Sequence, residues 1–298
     1  MKALVTGASS LPGYRTTLKL LENGYNVIAT HLINPIPIEH ENLEKIKLDV
    51  RDFNFLLRLF KENKPDIVIH MAALGNVDEC ERNNMLAWEI NVKGTINIVK
   101  LSEKYSEYLL YLSTDYVFDG SKGGYQEYDP PNPINYYGLT KLGGEIAVMT
   151  SNINNVIVRA SSIYGFGPGR KNFAKFIFEK LTKGERIKAL IDQYTTPTQA
   201  SLLADAINEI IKRRLIGIFH IVGERLSRYE FALKVADLFG FDKTLIGEAT
   251  MKDFNWFAPR PRDASLKCEH TRKLLRVDFH SMEKALNRLK EEYQEEVS

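Results

Sequence analysis

Cysteine is scarce in this chain. Cys80 and Cys268 lie far apart and form no CxxC or Cys/His ligand spacing, which speaks against a disulfide framework and a structural zinc site and fits a reducing cytoplasm. Long apolar runs are missing too. The amino terminus, "MKALVTGASS", turns apolar at once but meets Gly7 too soon for a signal-peptide core or a membrane span, so a soluble intracellular protein is expected. Neither charge sign dominates, with Lys+Arg at 40 against Asp+Glu at 38, and the balance gives no reason to expect a nucleic-acid or membrane partner. Repeats and low-complexity tracts are absent, and no metal is expected.

What is present is a rhythm. Short apolar runs, "KALVT" (2–6), "YNVIAT" (25–30), "KIKLDV" (45–50), "DIVIHMAA" (66–73), "YLLYLST" (108–114) and "NVIVRAS" (155–161), alternate with amphipathic stretches at helical spacing. Continuous apolar strands alternating with helices predict a doubly wound parallel α/β sheet of Rossmann type, with its ligand at the carboxyl ends of the strands. After Gly165 the pattern turns helical, but "GIFHIVG" (217–223) is strand-like enough to rejoin the sheet. The 298 residues therefore divide into a dinucleotide-binding domain, 1–165 with about 195–223, and a smaller, mostly helical C-terminal substrate domain, about 166–194 with 224–298.

Chemistry begins at "TGASSLPG" (6–13), between the first strand and first helix. A dinucleotide turn needs a glycine for the bend, a small residue against the pyrophosphate and a glycine where helix meets sheet. Gly7 and Gly13 fill the outer roles. The middle position is Ser10, whose hydroxyl could donate to a phosphate; the alternative is a plain strand-to-helix loop. The second strand ends "IATHLINP" without the acid that favours NAD. His31, with Arg15 on the first helix, could face a 2′-phosphate, so NADPH is preferred and NADH is also admitted. Asp49 ends the third strand, where it could accept the adenine amino group or stand solvated.

The second motif is YxxxK, which occurs once, at Tyr137 and Lys141. With 14 tyrosines in a lysine-rich chain the spacing alone carries little. On a helix, however, i and i+4 share a face, so phenol and ammonium converge, and a nearby cation should lower the phenol's pKa. The strand-end hydroxyls of Ser113 and Thr114 would bond the same substrate oxygen. Tyr136, with Thr140 at i+4, is left to packing or to the substrate wall.

The strings "TGASSLPG", "VIHMAALGNVDECE", "NVKGT", "STDYVFDG", "PINYYGLTKLGGE", "VRASSIYG", "DQYTTPTQA", "GIFHIVGE" and "RPRDASL" run through nearly the whole chain in an order that resembles the extended short-chain dehydrogenases/reductases. Within them the chain is most similar to the dTDP-4-dehydrorhamnose reductases, and "STDYVFDG" followed by "YYGLTKLGGE" is the specific part. The resemblance implies hydride transfer from NADPH or NADH to the C4 ketone of dTDP-4-dehydro-L-rhamnose, a nucleotide-sugar substrate, and leaves room for a homodimer. It implies Tyr137 as proton donor, Lys141 as its tuner and ribose anchor, and Thr114 as hydroxyl partner, with Asp115 beside the sugar. Ser10, Leu11 and Pro12 would border the pyrophosphate, Asp49 and Val50 the adenine, and Ala72, Ala73 and Leu74 the middle of the dinucleotide. Asn91 would steady Lys141 through water, and Arg260 and Arg262 would meet a nucleotide diphosphate. Ser162 stands where the family usually has a tryptophan against the deoxysugar, which leaves the exact sugar open. The same subgroup contains the regulatory beta subunit of methionine adenosyltransferase, which gives the alternative of a cofactor-binding partner protein.

Overall fold

A computed structural model describes residues 1–297. In chain order the elements are β1 (Lys2–Thr6), α1 (Leu11–Glu22), β2 (Asn26–His31), β3 (Leu43–Lys47), α2 (Phe53–Asn63) and β4 (Ile67–His70). There follow α3 (Val77–Arg82), α4 (Asn84–Trp88), a π-turn over Glu89–Lys93, α5 (Gly94–Tyr105), β5 (Tyr108–Thr114), α6 (Tyr136–Met149) and β6 (Asn154–Ala160). The remainder comprises α7 (Phe173–Thr182), β7 (Ile187–Leu190), β8 (Tyr194–Thr195), α8 (Ala200–Lys212), β9 (Gly217–His220), β10 (Leu226–Ser227), α9 (Arg228–Phe239), β11 (Ile246–Ala249), α10 (Glu269–Leu274) and α11 (Met282–Val297).

Seven strands form one parallel sheet in the order β3-β2-β1-β4-β5-β6-β9. Alternate side chains of a strand point to opposite faces, and both faces here are covered. Ala3, Val5, Ile67, Ile69, Leu110 and Leu112 enter one apolar cluster, shared with α8 and α9. Leu4, Val68, Leu109 and Tyr111 enter the other, against Leu56, Phe60 and Ile98 of α2 and α5. Each fully buried Leu, Ile or Val stabilises by roughly 1.5–3 kcal/mol, so continuous apolar runs are what two-sided burial demands. Lys- and Glu-bearing β3 is the exposed edge, and the third strand ends at Lys47, leaving Leu48–Val50 in the strand-end loop.

As expected, the 217–223 run rejoins the sheet, through β9 beside β6. Two small pairings were not foreseen, a parallel β7–β11 ribbon and an antiparallel β8–β10 bridge, because their strands are too short to carry a period. The first apolar cluster runs without a break from β1 into α7, α9 and α11, so the C-terminal elements share a core with the sheet.

Register decides what meets at the strand ends. Thr6 pairs with His70, which sets the Gly7 turn beside Met71–Leu74. β5 and β6 pair over their full length to Thr114↔Ala160, which sets Thr114 and Asp115 beside Ser161 and Ser162. The crevice lies where the chain crosses from β3 back to β4, the position at which doubly wound sheets bind ligands.

Candidate active site

The glycine-rich turn is built as the spacing implied. Gly7 adopts φ 71°, a region closed to most side chains, and a Cβ there would lie 2.7 Å from the Ala72 nitrogen. Ser10 differs from expectation. Its hydroxyl donates to the Gly7 carbonyl (2.7 Å) and accepts from the Gly13 nitrogen (3.3 Å), so it caps α1 and its proton is not free for a phosphate.

A cavity of about 260 Å³ on the β2 side of the turn is lined by Gly7, Ser10, Thr30, His31, Asp49, Val50 and Ala72–Leu74. His31 keeps a buried Nδ1 without a hydrogen-bond partner among the described residues. The Asp49 carboxylate is held by Arg51 through Nε (3.0 Å) and Nη2 (2.6 Å), and these bonds keep it below the usual carboxylate range. Arg51, unnoticed in the sequence, therefore competes for the oxygens assigned to adenine.

Arg15 does not face this cavity, which corrects its assignment to a 2′-phosphate. It is buried against α11, with Nε 3.3 Å from Glu292 and Nη1 2.8 Å from Glu295, while Nη2 donates to the Phe166 carbonyl. A buried guanidinium takes charged partners wherever packing supplies them, and the helical period turns Arg15 inward.

The larger cleft, about 400 Å³, opens on the other side of Ser10–Pro12 and brings together Ser113, Thr114, Asp115, Tyr137, Lys141 and Ser162. Asn135 positions α6: its side chain caps the helix at Gly138 (2.9 Å) and donates to the Pro259 carbonyl (3.1 Å). Gly138 is required because a Cβ would fall 2.1 Å from the Tyr116 carbonyl. The Thr114 hydroxyl donates to Asp115 Oδ1 (2.9 Å), and Ser161 donates to Oδ2 (2.6 Å). Burial pushes the Asp115 carboxyl up to about 6, against the pull of those hydroxyls and of Arg228.

Lys141 is 3% exposed and donates to the Leu112 carbonyl (2.7 Å), with its ammonium 4.0 Å from the Tyr111 ring centre. Burial pushes its amine down to about 7. Burial also pushes the Tyr137 phenol above its ordinary range, opposed by the Thr114 hydroxyl. The sequence led to the opposite expectation, a phenol lowered by the lysine. Desolvation acts on both groups and weakens the very charge that was to do the lowering. At neutral pH Tyr137 is thus a phenol, able to donate.

Asn91, on the π-turn, bridges rather than reaches Lys141. Its Oδ1 accepts from the Leu74 nitrogen (2.7 Å) and its Nδ2 donates to Thr140 (2.9 Å), pinning the Ala72–Leu74 loop to α6. Ser113 keeps a buried hydroxyl without a partner among the described residues. Ser162 faces the cleft with φ 42°, an uncommon backbone for a residue with a Cβ.

The far wall carries cations that sequence reasoning passed over: Arg170, Lys171 and Arg228 line the cleft, and Arg228 also donates to Gln193 (3.2 Å). An adjoining bay of about 270 Å³ joins Arg228 and Arg260 to Phe173, Phe254 and Trp256. Arg260 pairs with Asp78 (3.0 Å). Arg262 does not line either cavity; its side chain is exposed, and its carbonyl accepts from the Tyr194 nitrogen. The signal that could have singled out Arg228 is its place directly after the Ser227 capping box, at a helix start facing the strand ends.

The RmlD substrate binding domain model matches residues 1–295. The chain belongs to this family, that of the dTDP-4-dehydrorhamnose reductases. A structure described as a hypothetical dTDP-4-dehydrorhamnose reductase from Sulfolobus tokodaii is 37% identical over 95% of this chain and 97% of its own, with TM-score 0.83. The dTDP-4-dehydrorhamnose reductase from Bacillus anthracis, solved in complex with NADP, is 28% identical over 97% of this chain and 98% of its own, with TM-score 0.86. Methionine adenosyltransferase 2 subunit beta from Bos taurus is 29% identical over 90% of this chain and 80% of its own. Among the described residues no helix of this RmlD-family chain is long and apolar enough to cross a membrane, and no group of three or more His, Cys, Asp or Glu side chains could hold a metal ion.

Proposed function

We propose that this NAD(P)H-dependent oxidoreductase reduces the C4 ketone of a nucleotide-linked deoxysugar, with dTDP-4-dehydro-L-rhamnose as substrate and NADPH as the preferred cofactor. The observation that carries the reading is the convergence of Thr114, a half-buried protonated Tyr137 and Lys141 on one cleft that opens between the glycine-rich turn and a basic wall. A dinucleotide fits the residues present. Gly7 lets the turn pack directly on the Met71–Ala72 backbone at the edge of the groove, and among the described residues His31 Nδ1 and Ser113 Oγ are buried polar atoms without a partner along it.

Reduced nicotinamide, when bound, would supply the hydride. Ser10–Pro12 and Ala72–Leu74 would hold the dinucleotide's middle, and Val50 with Asp49 its adenine end. The absence of an acid after β2, with His31 in its place, favours the 2′-phosphate of NADPH. Tyr137 gives its proton to the C4 oxygen as the hydride reaches C4, so ketone becomes alcohol and the phenol is later reprotonated from solvent. Lys141, when charged, stabilises the transient phenolate electrostatically. Arg228 and Arg260, in a bay with stacked Phe254 and Trp256, suit a nucleoside diphosphate through guanidinium–phosphate pairing and base stacking.

The bovine relative raises a second reading, a cofactor-binding regulatory subunit. The filled Thr, Tyr and Lys positions favour the reductase. Loss of NADPH absorbance with dTDP-4-dehydro-L-rhamnose, measured beside other nucleotide-linked keto sugars and NADH, is the expected result. Failure to reduce any of them, together with co-purification with a synthetase, rejects it.

A further inference from the structure

The chain between β6 and α7, "GFGPGRKN" (165–172), crosses back over the dinucleotide turn. A Cβ on Gly169 would lie 3.0 Å from the Leu11 nitrogen and 3.1 Å from Ser10 Cα, so the strap's backbone rests directly on that turn. Gly169 has φ 99° and Gly167 φ 140°, so a side chain at either would be both strained and crowded.

Both ends of the strap are tied down. At its start the Phe166 nitrogen donates to Glu292 Oε2 (2.9 Å), and the Phe166 carbonyl accepts from Arg15 Nη2 (2.9 Å). Glu292 is 2% exposed and also accepts from Gln199 Nε2 (2.7 Å), so the anchor joins α1, α8 and α11. At its end Asn172 caps α7 and donates back to the Gly165 carbonyl (2.8 Å).

Between these anchors Arg170 reaches over the groove, where Nη1 donates to the Gly75 carbonyl (3.1 Å) just past Ala72–Leu74. Its remaining guanidinium donors have no protein partner among the described residues, while neighbouring Lys171 is paired with Glu179. A guanidinium held by one neutral carbonyl, with its other donors open, matches the two-point geometry of phosphate oxygens.

We propose that the 165–172 strap is a clamp over the dinucleotide and that Arg170 binds its diphosphate from above. This assignment rests on the dinucleotide reading of the groove. It gives Arg15 and Glu292 the role of positioning residues, which hold the strap at the height from which Arg170 spans the groove. A nucleoside diphosphate on the sugar substrate offers the same chemistry, but the strap's contact with Ser10 and Leu11 favours the cofactor.

NADPH binding to the wild type, R170K and R170A, followed by nicotinamide fluorescence and stopped-flow release, tests the assignment, with dTDP binding measured in parallel. Arg170 is exposed, so the variants should fold as the wild type does. Loss of one charge-assisted contact should weaken NADPH by about tenfold in R170A, mostly through faster release and less so in R170K, with dTDP unchanged. NADPH affinity within twofold of wild type in R170A overturns the assignment, as does a loss confined to dTDP or shared equally by both ligands. Absence of NADPH binding by the wild type overturns the dinucleotide reading and this assignment with it.

Discussion

Two buried polar regions flank α6, and they are built on opposite terms. Beneath the helix, Glu145 and Arg159 form a two-point ion pair (2.8 and 2.7 Å), and the guanidinium also donates to the Glu127 carbonyl (2.9 Å). The neutral His220, its pKa pushed down to about 3 by burial, and Thr271, bonded to Glu127 (2.9 Å), complete a cluster in which the Glu145 and Arg159 charges answer each other. One turn away along the same helix, Lys141 has, among the described residues, one backbone carbonyl and a ring face, and Ser113 on the adjoining β5 has no partner there. Closed polar networks hold a fold, whereas open ones leave capacity for a ligand.

That contrast is broken most directly at Tyr137. Tyr137→Phe should lower kcat by roughly 10²–10⁴ with little change in stability, since the phenol lines the cleft and Thr114 keeps its bond to Asp115; a kcat within tenfold of wild type would remove the tyrosine from proton transfer. Arg159→Met should do the reverse, costing about 3–5 kcal/mol in urea denaturation by stranding the Glu145 carboxylate, while the folded fraction keeps most of its cofactor affinity.

Lys141→Met sharpens the comparison through pH. The amine, near 10.4 when unfolded, falls to about 7 in the fold, so the unfolded chain binds the extra proton between those values. The strain of burying Lys141 is therefore full below pH 7 and is relieved as pH rises toward 10. The variant should be more stable than wild type by on the order of 1–3 kcal/mol at pH 6, with the gap closing near pH 10, while turnover falls. Equal stability of both proteins across that range would show that Lys141 is not desolvated. The smallest effect belongs to Ser113→Ala, which should leave the unfolding free energy within about 0.5 kcal/mol and weaken ligand binding a few-fold, because its hydroxyl holds nothing in the free protein.

Much of this was legible in residue order. Strands buried on both faces announce themselves as continuous apolar runs, and Tyr137, Lys141 and Thr114 share one cleft as their strand and helix placement implied, with Asp115, which the resemblance had added, beside them. Arg15 was misread because a helix-start arginine looks the same whether it faces a phosphate or a buried glutamate 277 positions on, and only packing with α11 separates the two. Arg228 and Arg170 were missed for the converse reason: each sits in the C-terminal half, and nothing local marks it as facing strand ends far away in sequence. The direction of the Tyr137 shift was missed because spacing reports proximity, not solvent.

Residue order was thus enough to set the layered parallel sheet, the crevice at its strand ends and the residue types gathered there, since periodicity and strand-helix alternation are local properties that burial enforces. Packing of the whole chain settled which cations face the cleft, which are neutralised in the core and in which direction each titrates. Those outcomes depend on desolvation and on partners brought together from distant parts of the chain, and neither has a local signature.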